Sequence, residues 1–522
     1  MNTKRRLPTG VQDFEKLRKE GFVYVDKTEY IYSLANDYGD AMFLSRPRRF
    51  GKSLLCSTLK YYFQGRRDLF EGLAIERLEQ NWTEYPVLYF DMSRAKNPDI
   101  SAIRNTLSHL LAEYEQVYGK VPESGGLGDR LQYLIKEAHR QTGQRTVVIF
   151  DEYDSPVLEV IDDMEKVGQV RDIFTEFYGP VKSMAEHLRF VLLTGITKFS
   201  QMSIFSTINH LTNISMLRQF EGICGITAEE LETNFQPEIS AMGRENGWTA
   251  EETMSRLRSE YDGYHFGPLM TDVYNPFSLL NAFVSNVLGD YWFAPGTPKA
   301  LLKVLSCYPF NLSNIEGAEI FERDFNQPFD NFNSAIPILY QSGYLTIKDY
   351  CREDNVYTLG IPNGEVYRGL YHTLLEYYLN NDSQSNSGLL LSVKRAMRRD
   401  DIDAALESVQ NYMASLPHHL SNKTEQDFET ILRVLFDAIG IEVETEVQSA
   451  VGRCDVVIKT ARKLFVLELK LDTGATVDDA LAQIDRQNYL IPYWDDPREK
   501  VKVGVVMDRA TRTVREWKVQ NA

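Results

Sequence analysis

The chain has 522 residues, a formal net charge of −17 and five cysteines. That length calls for two or three domains, each able to bury its own core, and the acidic balance argues against a protein that coats nucleic acid non-specifically without excluding local contact with it. No apolar run approaches the ~20 residues of a bilayer span, Met1 to Thr9 lacks the apolar core of a secretory signal, and Cys56, Cys224, Cys307, Cys351 and Cys454 are scattered and never C-x-x-C, which argues for a reducing, cytoplasmic setting without disulfides or structural zinc.

In chain order, the predicted elements begin with a buried strand at 41–46 and a helix at 53–64. Apolar runs VLYFDM at 87–92, TVVIFD at 146–151 and RFVLLTG at 189–195 read as further strands, with helices near 101–118, 129–140 and 170–187 between them. Short apolar strands alternating with helices predict an α/β domain with a parallel sheet covered on both faces. GICGIT at 222–227 is expected to be its fifth strand. From 228 to 410 the pattern turns mostly helical, with helices at 228–246, 251–260, 277–288 and 365–380. Within it AIPILYQSGYLTIKDY and NVYTLGIP read as a helix and hairpin of winged-helix type, more suited to packing than to binding. The basic group Lys394, Arg395, Arg398 and Arg399 reads as a solvated helix face, and NNDSQSNSG at 380–388 as a linker. From 421 an amphipathic helix is followed by strands at 441–448, 453–459 and 464–471, a helix at 476–489 and a strand at 501–507. The expected division is 1–227, 228–410 and 415–522.

The segment Ser45-Arg-Pro-Arg-Arg-Phe-Gly51-Lys52-Ser53 lies between a strand and a helix and ends in G-K-S. In a phosphate-binding loop Gly51 would allow close backbone approach, Lys52 would meet the β/γ-phosphates and Ser53 would reach Mg²⁺, at a helix N-terminus that favours anions. The usual first glycine is replaced by Arg46, followed by the stiff Pro47. VVIFDEYD at 147–154 ends a strand in Asp151, a candidate Mg²⁺ ligand, and Glu152, a candidate base for the attacking water. LLTGITKF at 192–199 would bring Thr194 or Thr197 near the γ-phosphate. The candidate nucleotide set is Arg48, Arg49, Phe50, Gly51, Lys52, Ser53, Asp151 and Thr194.

VYVDKTEYI at 23–31, RPRRFGKSLL at 46–55, VIFDEYDSP at 148–156, LTGITKFS at 193–200 and YDGYHFG at 261–267 together resemble the predicted AAA-ATPase-like family. The likeness runs over most of the chain. It implies ATP and Mg²⁺ as cofactors, arginine-rich residues in place of the first loop glycine, Asp26 and Lys27 near the nucleotide, and a C-terminal nuclease-superfamily domain. Tyr261, Asp262, Tyr264 and His265 match a family stretch without an assigned role, and a lone His265 is more often structural than catalytic.

Asp455 is followed by Glu468 and Lys470 in the spacing D-x(12)-E-x-K. Strand alternation puts Glu468 and Lys470 on one face, and a short hairpin would bring Asp455 beside them. Two carboxylates can hold Mg²⁺ against a phosphodiester, and Lys470 would orient the attacking water or stabilise the pentavalent phosphorane. The arrangement resembles the PD-(D/E)XK nuclease superfamily, with Cys454 in place of the usual proline. That resemblance implies a helical glutamate at the metal, Glu425 or Glu429 with Glu425 favoured, and a helical glutamine, Gln483; Tyr489 shares that helix and would pack. The expectation is an ATP-binding, ATP-hydrolysing protein coupled to a Mg²⁺-dependent nuclease acting on DNA or RNA, with no membrane partner. The alternative is a nucleotide-dependent switch or scaffold whose nuclease fold only binds nucleic acid or protein.

Overall fold

Apolar runs that are buried from end to end build the first sheet. In a computed structural model all residues are described except 1–4, 122–124, 198–210, 294–300, 304, 306–314, 327–334, 380–382, 416–424, 449–452 and 509–512, and the side chains of 377–379, 383–386, 415, 425–429, 446 and 448 also lie outside the described part. The chain forms two compact units, Met1–Glu365 and Val366–Ala522.

In the first unit β1 (Ala41–Ser45), β2 (Val87–Asp91), β3 (Thr146–Asp151), β4 (Leu188–Gly195) and β5 (Thr212–Asn213) form a parallel sheet of order β2-β3-β4-β1-β5. Every residue of β3 is buried, as expected of a strand with helices on both faces. The helices Lys52–Phe63, Ile100–Tyr118, Leu127–Thr142 and Met164–Tyr178 lie between the strands in sequence. The last of these starts before the expected 170 and ends at Tyr178, because Gly179-Pro180 opens a separate short helix. GICGIT is not the fifth strand of this sheet. Its Ile226–Thr227 is β6, which pairs antiparallel with β7 (Val273–Tyr274) in a separate two-stranded ribbon, and the two-residue β5 takes the expected place beside β1.

The expected helix at 228–246 is two helices, Ala228–Asn234 and Gln236–Asn246; Pro237 enters at the start of the second. Capping boxes at Thr227/Glu230 and Thr249/Glu252 start the helices that follow them. With Pro276–Ser285 these helices bury Leu231, Phe235, Leu257, Leu279 and Phe283 in one cluster. The winged-helix-like segment contains the helix Ile336–Ser342 and the hairpin β9 (Thr346–Cys351) and β10 (Val356–Gly360), and a third strand, β8 (Ala318–Phe321), extends it.

In the second unit β11 (Glu442–Gln448), β12 (Arg453–Lys459), β13 (Lys463–Leu471), β14 (Glu499–Met507) and β15 (Val514–Asn521) lie in that order in one mixed sheet. Only β13 and β14 run parallel, and the helix Val477–Arg486 crosses between them. Gly504 lets that helix approach, since a Cβ there would lie 2.5 Å from the Val477 carbonyl oxygen. The strand β15 was not foreseen. The expected linker is also largely helical: Ser383–Met397 is a helix that buries Leu389, Leu390, Val393 and Met397. Among the described residues no helix is long and apolar enough to cross a membrane.

Candidate functional site

In the first unit the candidate residues gather at the carboxyl ends of β1, β3 and β4, where an open parallel sheet leaves a crevice beside a strand-order reversal. Gly51 has φ 94 and precedes the helix Lys52–Phe63, so the left-handed turn falls where a glycine tolerates it. Lys52 is 5 % exposed, and its Nζ donates to the carbonyls of Arg46 at 2.9 Å and Pro47 at 3.0 Å. Asp151 is buried between two donors: Thr194 Oγ1 at 2.7 Å and the Tyr89 hydroxyl at 3.1 Å. Glu152 has φ 51, an uncommon conformation for a glutamate and one that strained functional positions often adopt. Burial pushes its carboxyl above the usual range against the pull of the Lys52 charge. Asp154 ties β3 to β4: its Oδ2 accepts from the main-chain N–H groups of Ile196 and Thr197 and from Thr197 Oγ1. Thr197 is therefore occupied with Asp154, while Thr194 is the threonine that meets Asp151. Tyr89 and Asp154 were not singled out in the sequence, although Asp154 closes the same acidic run.

The remaining loop residues turn towards distant parts of the unit. Arg46 is 1 % exposed, donates to the carbonyls of Ser215 and Phe220, and lies 4.2 Å from the Phe266 ring centroid. Arg49, at φ 67, sits 3.9 Å over the Phe277 ring. Phe50 buries its ring against Tyr264 and Phe266, and its carbonyl accepts from Gly225 N–H at 3.0 Å, so its side chain belongs to the core. The Arg48 carbonyl accepts from the Trp292 indole. The YDGYHFG stretch thereby gains a structural place: Tyr264 and Phe266 brace the loop. His265 is held between the Ile347 carbonyl and Asp272, which agrees with a structural role. Lys27 pairs with Glu230 at 2.6 Å, and Asp26 caps Thr28 and Ala74 N–H groups. Beside Gly51 opens an apolar cleft lined by Val23, Val25, Lys27, Leu54, Phe235 and Leu280 among others.

In the second unit the register that pairs Val456 with Leu467 sets Asp455 across from Glu468. Asp455 accepts from Leu469 N–H at 2.7 Å, and Glu468, 1 % exposed, meets Lys470 Nζ at 2.7 Å. Burial raises the Asp455 carboxyl, opposed by Leu469 N–H, the Lys470 and Arg453 charges and a hydrogen bond with Glu468. Two carboxylates brought side by side on β12 and β13 are the donor type that a hard divalent cation takes. Gln483 Nε2 donates to the Tyr489 hydroxyl at 3.3 Å, and Tyr489 lies in the field of both Glu468 and Asp455. Asp455, Glu468, Lys470, Gln483 and Tyr489 therefore share one neighbourhood. Glu425 and Glu429 lie on the helix Glu425–Ala438 with side chains outside the described part. Among the described residues no three His, Cys, Asp or Glu side chains form a metal cage.

Residues 8–205 match the family model described as "Predicted AAA-ATPase", and residues 423–517 match the PD-(D/E)XK nuclease superfamily. An uncharacterized protein in the vnfD 5′ region of Azotobacter chroococcum mcd 1 is 30 % identical over 98 % of this chain and 98 % of its own. The ORC2 protein of Aeropyrum pernix, in ADPNP and ADP complexes, aligns over 69 % of this chain and 91 % of its own, at 14 % identity and a TM-score of 0.22, too low to carry an argument. The chain belongs to the predicted AAA-ATPase-like family, with a PD-(D/E)XK nuclease-superfamily domain at its C-terminus.

Proposed function

We propose that the first unit binds and hydrolyses ATP with Mg²⁺ and that the C-terminal domain is a Mg²⁺-dependent nuclease acting on DNA or RNA. The functional division is 1–227 for the ATPase core, 228–410 for the middle region and 415–522 for the nuclease. The observation that carries the first part is the convergence of Lys52, Asp151, Glu152 and Thr194 at the carboxyl edge of one parallel sheet. The apolar cleft beside Gly51 suits a flat purine. Lys52 would exchange its loop carbonyls for phosphate oxygens. Ser53 and Asp151 would hold Mg²⁺, with Asp151 oriented by Thr194 and Tyr89. Glu152, whose carboxyl is raised by burial, would take the proton of the attacking water.

In the nuclease domain Asp455 and Glu468 would hold the cation, with Glu425 as the favoured third donor. Mg²⁺ supplies Lewis-acid polarisation of the phosphodiester and acidification of water. Lys470 would stabilise charge on the phosphate, and Gln483 would orient the Tyr489 hydroxyl. The Lys470–Glu468 ion pair also favours a second reading, in which the nuclease fold only binds and the nucleotide acts as a switch. Assays of ATP hydrolysis and of plasmid, single-stranded DNA and RNA cleavage, with and without ATP, Mg²⁺ and Mn²⁺, separate the two. Cleavage that requires metal supports the enzyme; ATP binding without any cleavage supports the switch.

A further inference from the structure

A phosphate-binding loop is ordinarily shaped by its own glycines. Here the loop is Arg46-Pro-Arg-Arg-Phe-Gly51, and it includes a non-glycine residue, Arg49, in the left-handed region at φ 67. That conformation costs roughly 1–3 kcal/mol and persists only where surroundings over-determine it. The surroundings are on hand at every position: Ser215 and Phe220 hold Arg46, Phe277 holds Arg49, and Gly225 with Tyr264 and Phe266 holds Phe50. Pro47 lies against Gly343, where a Cβ would come within 2.6 Å of the proline ring.

The hold on Arg48, like that of Gly225 N–H on the Phe50 carbonyl, fixes a peptide plane, but here the donor is a side chain. The carbonyls of Arg46 and Pro47 both accept from the Lys52 ammonium, whereas the Arg48 carbonyl is taken by the Trp292 indole N–H at 3.2 Å. The peptide is planar and trans, so aiming this carbonyl at the indole aims the Arg49 N–H the opposite way. Trp292 is itself 1 % exposed, and its main-chain N–H donates to Glu365 Oε1 at 2.7 Å. Glu365 is also 1 % exposed, so no water can readily replace it as acceptor.

We propose that Trp292 and Glu365 are positioning residues of the nucleotide site: Glu365 fixes the Trp292 main chain, and the Trp292 indole holds the Arg48 carbonyl away from Lys52. Without the indole, that carbonyl is free to swing onto the lysine ammonium as a third main-chain acceptor. The loop would then collapse onto the charge that the phosphates need. The pair performs at a distance what a glycine-rich loop does for itself, and it joins residues 244 and 73 positions apart in sequence. This inference rests on the P-loop reading above.

The test uses the full chain. Trp292→Phe keeps an aromatic ring against Phe293 and Tyr344 but removes the N–H. Its Mg-ATP affinity, measured by titration calorimetry, should fall about tenfold, the scale of one lost hydrogen bond, with thermal unfolding close to wild type. The loss should lie in affinity, and turnover at saturating ATP should stay within about twofold. Glu365→Gln keeps an acceptor oxygen and should retain wild-type affinity, whereas Glu365→Ala should lose it as Trp292→Phe does. A folded Trp292→Phe protein with wild-type affinity overturns the inference alone, as does Glu365→Gln as weak as Glu365→Ala. A wild type that does not bind Mg-ATP overturns the P-loop reading itself, and the inference with it.

Discussion

The loop at 46–51 keeps its shape through side chains from far along the chain, whereas Asp455 and Glu468 meet through the register of two adjacent strands. The difference lies in what each site can lose. A site set by strand register tolerates change elsewhere, because the backbone ladder alone faces the two carboxyl groups towards each other. A loop braced by Trp292, Phe277, Gly343 and Glu365 has its weak points well outside the segment that would touch the ligand.

Five substitutions sharpen this contrast. The largest effect is expected from Asp455→Ala, which removes one of two metal-holding carboxylates. Metal-dependent phosphodiester cleavage should fall about a thousandfold or more, the scale of several kcal/mol of metal-based stabilisation, while ATP affinity stays as in wild type; residual cleavage at the wild-type rate would exclude this site. Next, Glu152→Gln should slow ATP turnover roughly a hundredfold with nucleotide still bound. Turnover at the wild-type rate would give the base role to another residue.

A pH measurement follows. Burial raises the Glu365 carboxyl to about 7 from an ordinary value of 4.5. The folded protein therefore favours the protonated form. The resulting stability is fully present below pH 4.5 and is lost as pH rises through about 7. The contribution is of order 3 kcal/mol at most. Glu365→Gln should flatten the decline in stability across that window, and an unchanged pH profile would show that Glu365 is ionised in the fold. Smaller still are two glycine replacements. Gly343→Ala, at φ +89 against Pro47, and Gly504→Ala, against Val477, each force a close contact. Each should cost about 1–3 kcal/mol in thermal unfolding. Only the first should also weaken ATP binding, because only Gly343 touches the loop.

Both candidate sites were legible from local pattern where the chemistry sits on one strand or a strand pair. TVVIFDE and D-x(12)-E-x-K each place carboxylates at a strand edge, and the apolar runs fixed four of the five parallel strands. The fifth strand was missed because Thr212–Asn213 contributes two polar residues, too few to show a period. GICGIT looked like a strand, but Gly225 at φ +91 turns the chain so that Ile226–Thr227 pairs with Val273–Tyr274. The polar run at 380–388 hid a helix whose buried leucines follow it. Trp292 and Glu365 were not legible, since nothing in their own neighbourhoods marks a partner so remote in sequence.

The most direct test of the account is Mg-ATP binding by titration calorimetry to the wild-type chain, Lys52→Ala and Asp455→Ala. Wild type and Asp455→Ala should bind alike, and Lys52→Ala, with folding intact by thermal melt, should bind at least about tenfold more weakly. A folded Lys52→Ala protein with wild-type affinity would contradict the account.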